Sequence, residues 1–351
     1  VRGQPPQASS SMRSIASQSR LRAAGAGTRG MIHQSRVACR AVEPQATVPS
    51  DHLLAPPQSK PDMYKNVGPA PQRFSVGDGM LLDIATAALP VIMRLGSGAL
   101  CYGYSPSLEK DDGTGGTGYT MLKNLPGGRK LHETSGVASF PRPAMPLELY
   151  EFESCPFCKK VREAVSILDL DVMMFPVPQN GEIYRPRAKE LGGKAMFPYL
   201  VDKNTGKSMY ESDDIIAYLF DTYGPGKEAV PLALRLGFGT TLTAGLGLAL
   251  RAGKGGRKVP SRQPAKPLVF WGYDGSPFVK VVREVLCEME LPYLYKNAAR
   301  GSPKRQQLVD KYGTFQVPLL EDPNTESYLF ESKDIIKYLK DTYGMPVSAL
   351  Q

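Results

Sequence analysis

Two cysteines three residues apart, in Cys155-Pro156-Phe157-Cys158, are the side chains best suited to chemistry in this sequence. They follow an alternating run, Leu147 to Phe152, that reads as a buried strand. They precede Val161, Val165 and Leu168 at helical spacing, with Pro156 where a first helical position tolerates proline. The pair therefore belongs at a strand-to-helix turn. Unpaired amide N–H groups and the positive helix end stabilise a thiolate there, so Cys155 is expected to be the low-pKa nucleophile and Cys158, one turn inside, the resolving thiol. At this separation the two can close a local disulfide. Such a pair also serves as half of a zinc site or as a structural disulfide. No second CxxC exists, and His33, His52 and His132 fall outside both domains delimited below, so a four-ligand zinc site cannot be assembled and no metal is expected.

The elements that must hold this turn occur twice. Pro146 through Glu163 aligns with Pro267 through Glu284 at an offset of 121, setting Ser154-Cys155-Pro156-Phe157-Cys158-Lys159 against Gly275-Ser276-Pro277-Phe278-Val279-Lys280. One deletion later, Phe197-Pro198 matches Val317-Pro318 and Glu211-Ser212 matches Glu331-Ser332, and both copies close on Asp-Thr-Tyr-Gly, at 221–224 and 341–344. Within the first copy, strands at 147–152, 172–175, 199–201 and 209–210 and helices beginning near Pro156, Tyr184 and Ser212 give the order βαβαββα. The fold class is α/β with a mixed sheet, in two tandem domains, 147–224 and 267–344. The repetition also extends upstream: Arg94-Leu95-Gly96-Ser97-Gly98 reads against Arg235-Leu236-Gly237-Phe238-Gly239, and Gly-Gly-Arg-Lys recurs at 127–130 and 255–258. Each domain is thus preceded by an apolar leader.

With these motifs in place, both copies resemble the glutathione-transferase N-terminal domain, the glutaredoxin-related branch of the thioredoxin superfamily, and the whole chain resembles tandem proteins of this kind from plant and algal plastids. The resemblance implies a cis-proline at Pro198 and Pro318, preceded by Phe197 and Val317, whose backbone pairs with the cysteinyl unit of glutathione. It implies the γ-glutamyl end at Glu211-Ser212 and, as a second candidate site, at Glu331-Ser332. A serine at a helix start supplies donors to a carboxylate, and an acidic neighbour meets the amine. Each motif also has an ordinary structural use, as an edge-strand proline or a helix cap. The second copy departs from the pattern. Ser276 and Val279 replace the thiols, so it can exchange no disulfide. Trp271 with Ser276-Pro277-Phe278 resembles tau-class transferases, but no helical domain follows Gly344 to supply an electrophile site, which leaves a glutathione-binding or structural pseudo-domain. Cys287 reads as core.

The remaining segments bound where the protein works. Residues 1–42 hold seven arginines and no acidic residue, among abundant serine and alanine, and read as a transit peptide, with chloroplast the expected destination and mitochondrion the alternative. The net charge is +9, and removing those arginines leaves +2 on the rest, so no nucleic-acid partner is expected. Residues 43–79 and 105–146 read as linkers, 80–104 as an apolar leader helix and 225–266 as a second leader with linker. The leaders, interrupted by Asp83, Arg94 and Arg235, fit packing against the domains or shallow membrane association better than spanning. The leading expectation is a plastid glutathione-linked thiol–disulfide oxidoreductase whose partners are glutathione and disulfide-containing or glutathionylated proteins. The alternatives are a non-catalytic scaffold, an isomerase resembling prostaglandin E synthase type 2, and a Ser276-dependent glutathione transferase. An isolated fragment from about 262 onward is expected to fold alone.

Overall fold

The computed structural model describes residues 64–72, 76–110, 119–249 and 251–345; the arginine-rich segment lies outside them. Ahead of the first repeat come β1 (Asn66–Val67), α1 (Leu81–Met93), β2 (Ser105–Lys110), β3 (Thr120–Leu125) and β4 (Arg129–Thr134). The first repeat is β5 (Leu147–Glu151), α2 (Pro156–Ile167), β6 (Val172–Pro176), α3 (Tyr184–Gly192), β7 (Tyr199–Asp202), β8 (Lys207–Met209) and α4 (Ser212–Tyr223). Helices α5 (Leu232–Arg235) and α6 (Phe238–Ala249) follow. The second repeat is β9 (Leu268–Gly272), α7 (Pro277–Glu288), β10 (Tyr293–Asn297), α8 (Lys304–Tyr312), β11 (Leu319–Asp322), β12 (Ser327–Phe330) and α9 (Ser332–Tyr343). Both are βαβαββα. The Asp-Thr-Tyr-Gly that closes each copy now has a physical role: Tyr218 and Tyr223 each donate a hydroxyl to Asp202 Oδ2 at 2.6 Å. Tyr338 and Tyr343 do the same to Asp322. The last helix is thereby tied to the third strand of its own repeat.

The two repeats are not separate beads. Their sheets join edge to edge through an antiparallel pairing of β10 with β6, Tyr293 opposite Met174 and Tyr295 opposite Val172. The result is one nine-stranded sheet, β1-β12-β11-β9-β10-β6-β5-β7-β8. Apolar side chains of both repeats, among them Leu149, Val161, Met174, Phe270, Val282 and Tyr293, share one core cluster. At the junction lies a buried charge cluster that obeys the offset of 121. Lys159 reaches Asp274 at 2.7 Å, and Lys280 reaches Glu153 at 2.8 Å. Arg162 and Arg283 each bridge both carboxylates, at 2.9 to 3.2 Å. All six of these residues are buried. A fragment starting near 262 would expose the β10 edge and leave Lys280 and Arg283 without Glu153, so the expectation that it folds alone is not supported.

The leaders cross over. Helix α1, which precedes the first repeat, packs on α7 of the second, α6 packs on α2 of the first, and the two helices pack on each other. The upstream repetition must be re-registered accordingly. Arg94-Leu95-Gly96-Ser97-Gly98 follows α1, and its counterpart is Arg251-Ala252-Gly253-Lys254-Gly255, which follows α6, not 235–239. Left-handed φ angles recur at matching places: Leu95 51°, Gly96 73° and Gly98 80° against Ala252 52°, Gly253 75° and Gly255 74°. Arg94 pairs with Glu163 at 2.5 Å, and Arg251 pairs with Glu284, which stands 121 residues on from Glu163. A β-carbon at Gly98 would lie 3.2 Å from Asp274 Cβ and Glu163 Cα, so the turn needs glycine for space as well as for φ. The two Gly-Gly-Arg-Lys segments are not equivalent, because 127–130 runs from a hairpin turn into β4.

Two segments expected to be linkers carry structure. Strands β2, β3 and β4 form a three-stranded antiparallel sheet, β2-β4-β3, held to the second repeat by Glu133, which accepts from Arg300 Nε at 2.8 Å. Its short, largely polar strands lack the apolar alternation that marks the main sheet. Within 43–79, β1 pairs in parallel with the edge strand β12, Asn66 opposite Ser327.

Candidate functional site

Cys155 is the N-cap of α2, with extended φ and ψ of −90° and 122°, and its Sγ accepts the Cys158 backbone N–H at 3.3 Å. Pro156 occupies the first turn, where its missing N–H costs nothing. The hydrogen bond from the Cys158 side chain, helped by the backbone one, holds the Cys155 thiol below its ordinary range against the opposing effect of burial. Burial pushes Cys158 well above it, with Cys155 and Glu151 adding to the rise. Cys101 and Cys287 are also raised, mainly by burial. Among the described residues, therefore, one thiol is lowered and three are raised. Cys155 is only 3% exposed. Beside it α6 passes close, an added Gly245 β-carbon falling 3.8 Å from Pro156.

Next to the thiols opens a groove of roughly 520 Å³ lined by Phe157, Met196, Phe197, Pro198, Tyr210, Glu211 and Ser212. The structure thus brings the four predicted binding residues into one depression, and Phe157 of the CPFC turn forms part of its wall. The Phe197-Pro198 bond is cis. Glu211 holds φ 62°, ψ 114° directly before α4, and Glu331 holds φ 66°, ψ 125° before α9. A non-glycine residue in that region costs on the order of 1 kcal/mol, and a strain kept in both copies points to a use for the turn. It delivers buried Ser212 to the start of a helix whose free N–H groups favour an anion, with the Glu211 carboxylate at the rim to meet a cation. Sequence reasoning missed Phe157, Met196 and Tyr210 as lining residues, and Arg185, whose guanidinium stacks 4.8 Å from the Phe197 ring. A period-3.6 scan of α3 would have placed Arg185 on its inner side but not over that ring.

The second site is built alike and used differently. Ser276 caps α7, its Oγ accepting from Val279 N at 3.4 Å, and Val317-Pro318 is also cis. Its groove, however, is shared with the chain itself: Pro69, Ala70, Gln72, Gly77, Met80 and Ile84 line it together with Phe278, Glu331 and Ser332. The Glu331 carboxylate accepts the Gln72 backbone N–H at 2.9 Å and Gln316 Nε2 at 2.7 Å. An incoming amine would have to displace those donors. Trp271 is buried and donates to Glu321 at 2.8 Å, a core role.

These geometries agree with the comparisons with known proteins. The family model described as "Glutathione S-transferase, N-terminal domain" matches twice, at residues 149–228 and 270–346. The chain carries two thioredoxin-like glutathione-transferase N-terminal domains in tandem. Two solved structures of a glutathione transferase from Bombyx mori, BmGSTD1, are similar to it at 27% identity and a TM-score of 0.23. One covers 26% of this chain and 42% of the transferase; the other, a complex with GTT, covers 27% and 44%. The chain thus spans less than half the length of those transferases. No curated protein matches the sequence.

Proposed function

We propose that the protein is a glutathione-linked thiol–disulfide oxidoreductase that works through its first domain. The observation that carries this reading is the Cys155 thiol at a helix N-terminus, held low by hydrogen bonds from Cys158, with the Phe197–Ser212 groove alongside. Cys155 thiolate attacks a disulfide, expels one thiolate and becomes a mixed disulfide. Cys158 then attacks Cys155 Sγ, releasing the second thiol and closing Cys155–Cys158, which two molecules of glutathione reduce while becoming glutathione disulfide. The slight exposure of Cys155 favours glutathione and thiols on extended chains over thiols on flat protein faces. The strap across the second groove supports a packing role for that domain and none in exchange. Reduction of hydroxyethyl disulfide by the full chain with glutathione tests the proposal. Cys155→Ser is expected to abolish activity, while Cys158→Ser keeps a monothiol activity on glutathionylated substrates; equal loss in both refutes the assigned roles.

The same reading places the protein in the chloroplast, on the strength of the arginine-rich, acid-free 1–42 segment, and a fluorescent fusion of that segment tests it against mitochondrial import. Among the described residues no helix is long and apolar enough to cross a membrane. Leu81, Leu82 and Ile92 of α1 and Leu242 and Leu246 of α6 are exposed, which supports peripheral association with a lipid surface. Co-sedimentation with lipid vesicles, lost on Leu82→Glu with Leu242→Glu, is the corresponding measurement.

A further inference from the structure

The last strand of each repeat lies towards an end of the nine-stranded sheet, β12 on one side and β8 on the other. The two edges are covered differently. On β12 lies β1, running parallel to it: the Lys65 and Asn66 N–H groups donate to the Glu326 carbonyl at 2.9 and 3.1 Å, and the Gly68 N–H donates to the Tyr328 carbonyl at 3.0 Å. The chain then passes from the edge into the second groove. There Gln72, six residues beyond Asn66, donates its N–H to the Glu331 carboxylate and accepts at its carbonyl from Gln316 Nε2 at 3.1 Å. One extended segment thus fills edge and groove together. In the first repeat, 120 residues earlier, the corresponding acceptors are the carbonyls of Gly206 and Ser208 and the Glu211 carboxylate. Among the described residues no strand covers β8 on its outer side. Lys207 and Ser208 are exposed, whereas their counterparts Ser327 and Tyr328 are buried and half-buried.

Charge separates the two edges as well. The Tyr64 hydroxyl donates to Glu321 at 2.8 Å, and Lys65 pairs with Glu326 at 2.6 Å. The matching positions in the first repeat are Val201 and Gly206, which offer these two anchors no carboxylate. That edge instead presents Lys207, its ammonium 5.1 Å from the Tyr218 ring centre, while Lys203 nearby is already paired with Glu148 at 2.7 Å. A lysine on an edge strand repels a second copy of the same edge and attracts an extended segment that carries a carboxylate. We propose that β8 and the groove beside Cys155 form one docking surface for an extended, acidic segment of a disulfide-bearing or glutathionylated protein. The segment adds as a further strand parallel to β8 and runs on past Glu211 towards the thiol turn. The surface deepens the oxidoreductase reading above, on which its use in thiol exchange rests. Its direction follows from the strap: the acidic residue comes first, the added strand next, and the reacting sulfur on the C-terminal side. Backbone pairing supplies affinity without choosing a sequence, and Lys207 supplies the preference for acid.

The probe is a fluorescent synthetic peptide with the sequence of residues 64–72, carrying Lys65→Glu and one added residue after Gln72, serine for binding and glutathionylated cysteine for exchange. Binding of the serine peptide to the full chain is read by anisotropy and located by hydrogen exchange. Amides of 205–210 are expected to exchange at least about tenfold more slowly in the complex, with those of 325–331 unchanged. N-methylation of the peptide at Gly68 removes one donor to the edge and should weaken binding at least about tenfold. The peptide that keeps Lys65 should bind about threefold to fivefold more weakly, and Lys207→Glu should reverse that order. Absence of binding, protection at 325–331 in place of 205–210, or indifference to N-methylation overturns the surface, and none of these needs a variant protein to fold. Equal binding of the two charge forms overturns the acidic preference. The glutathionylated peptide separates this surface from the reading beneath it. Protection of 205–210 with no glutathione released refutes the oxidoreductase reading while the surface stands. Release of glutathione with 205–210 unprotected refutes the surface alone.

Discussion

Replacing Asp274 by asparagine tests whether the charge cluster between the repeats holds them together. Its carboxylate accepts Lys159 Nζ at 2.7 Å, Arg283 Nη2 at 2.9 Å and Arg162 Nε at 3.1 Å, and it is fully buried. Asparagine keeps the shape, removes the charge and turns two donors towards three donors. Removing one partner from a buried ion pair costs about 3–5 kcal/mol. Each cation here retains another carboxylate: Glu163 for Lys159, Glu151 and Glu153 for Arg162, and Glu153 for Arg283. The expected loss is therefore at the low end, about 3 kcal/mol at pH 7. The pH dependence has a definite sign. The neighbouring cations hold Asp274 far below the ordinary aspartate range despite the opposing cost of burial. Its contribution is present above the unfolded value of about 3.9 and is lost as pH falls, by about 1.4 kcal/mol per unit, without reaching completion in the accessible acid range. Urea unfolding at pH 7, 4 and 3, followed by circular dichroism and by fluorescence of Trp271, measures both. Trp271 is the single tryptophan and is buried in the second repeat, so coincident curves also show that the halves unfold together. A loss below about 1 kcal/mol at pH 7, or a gap between parent and variant that stays constant down to pH 3, refutes the reasoning.

Three further outcomes are expected. Gly98→Ala, at φ 80° and 3.2 Å from two neighbours, should lose about 1–3 kcal/mol, whereas Gly127→Ala, at φ 82° with open space around it, should lose only about 1; equal losses by denaturant titration would contradict the crowding argument. Calorimetric titration should find one glutathione per chain, weakened about tenfold by Ser212→Ala, as for one lost hydrogen bond, and unaffected by Ser332→Ala; two equivalent sites would show that the strap leaves the second groove open. Alkylation of Cys155 by iodoacetamide should persist below the ordinary thiol range and fall off only as pH drops through the lowered pKa. Cys158→Ala removes the first cause of that lowering and should move the midpoint upward, an unchanged midpoint counting against it.

Much of this was legible in the residues. The offset of 121 located both sheets and both first helices, because buried strands and helix faces repeat the same apolar spacing in each copy. It also located the thiol turn, and the offset of 120 beyond the deletion located the two prolines and the two Glu-Ser pairs. What escaped has physical causes. The charge cluster is invisible to periodicity, since Lys159, Arg162 and Arg283 lie on helices where a basic residue normally means a solvated face. Their burial is completed by a carboxylate on the other repeat, Asp274 for Lys159 and Arg162 and Glu153 for Arg283. The β2-β4-β3 sheet is short and largely polar, and its strands are separated by glycine-rich sequence, a composition shared with linkers. The upstream repeat was misregistered because Arg-Leu-Gly is a stronger textual match than Arg-Ala-Gly. The φ angles and the Glu163 and Glu284 pairings, neither of them written in letter identity, select the other one.

The crossed leader helices have a consequence for how the chain comes into being. During synthesis α1 leaves the ribosome well before α7, the helix it will lie against, and α2 waits for α6. The half with the CPFC turn therefore emerges complete in sequence yet uncovered, with Lys159 and Arg162 still lacking Asp274 of the second repeat. Its closure is a long-range event, slow by the entropy of the loop that must be shut. The half without the CPFC turn then supplies the lid and counter-charge under which the first half closes. That dependence makes the second copy part of what the first needs in order to fold.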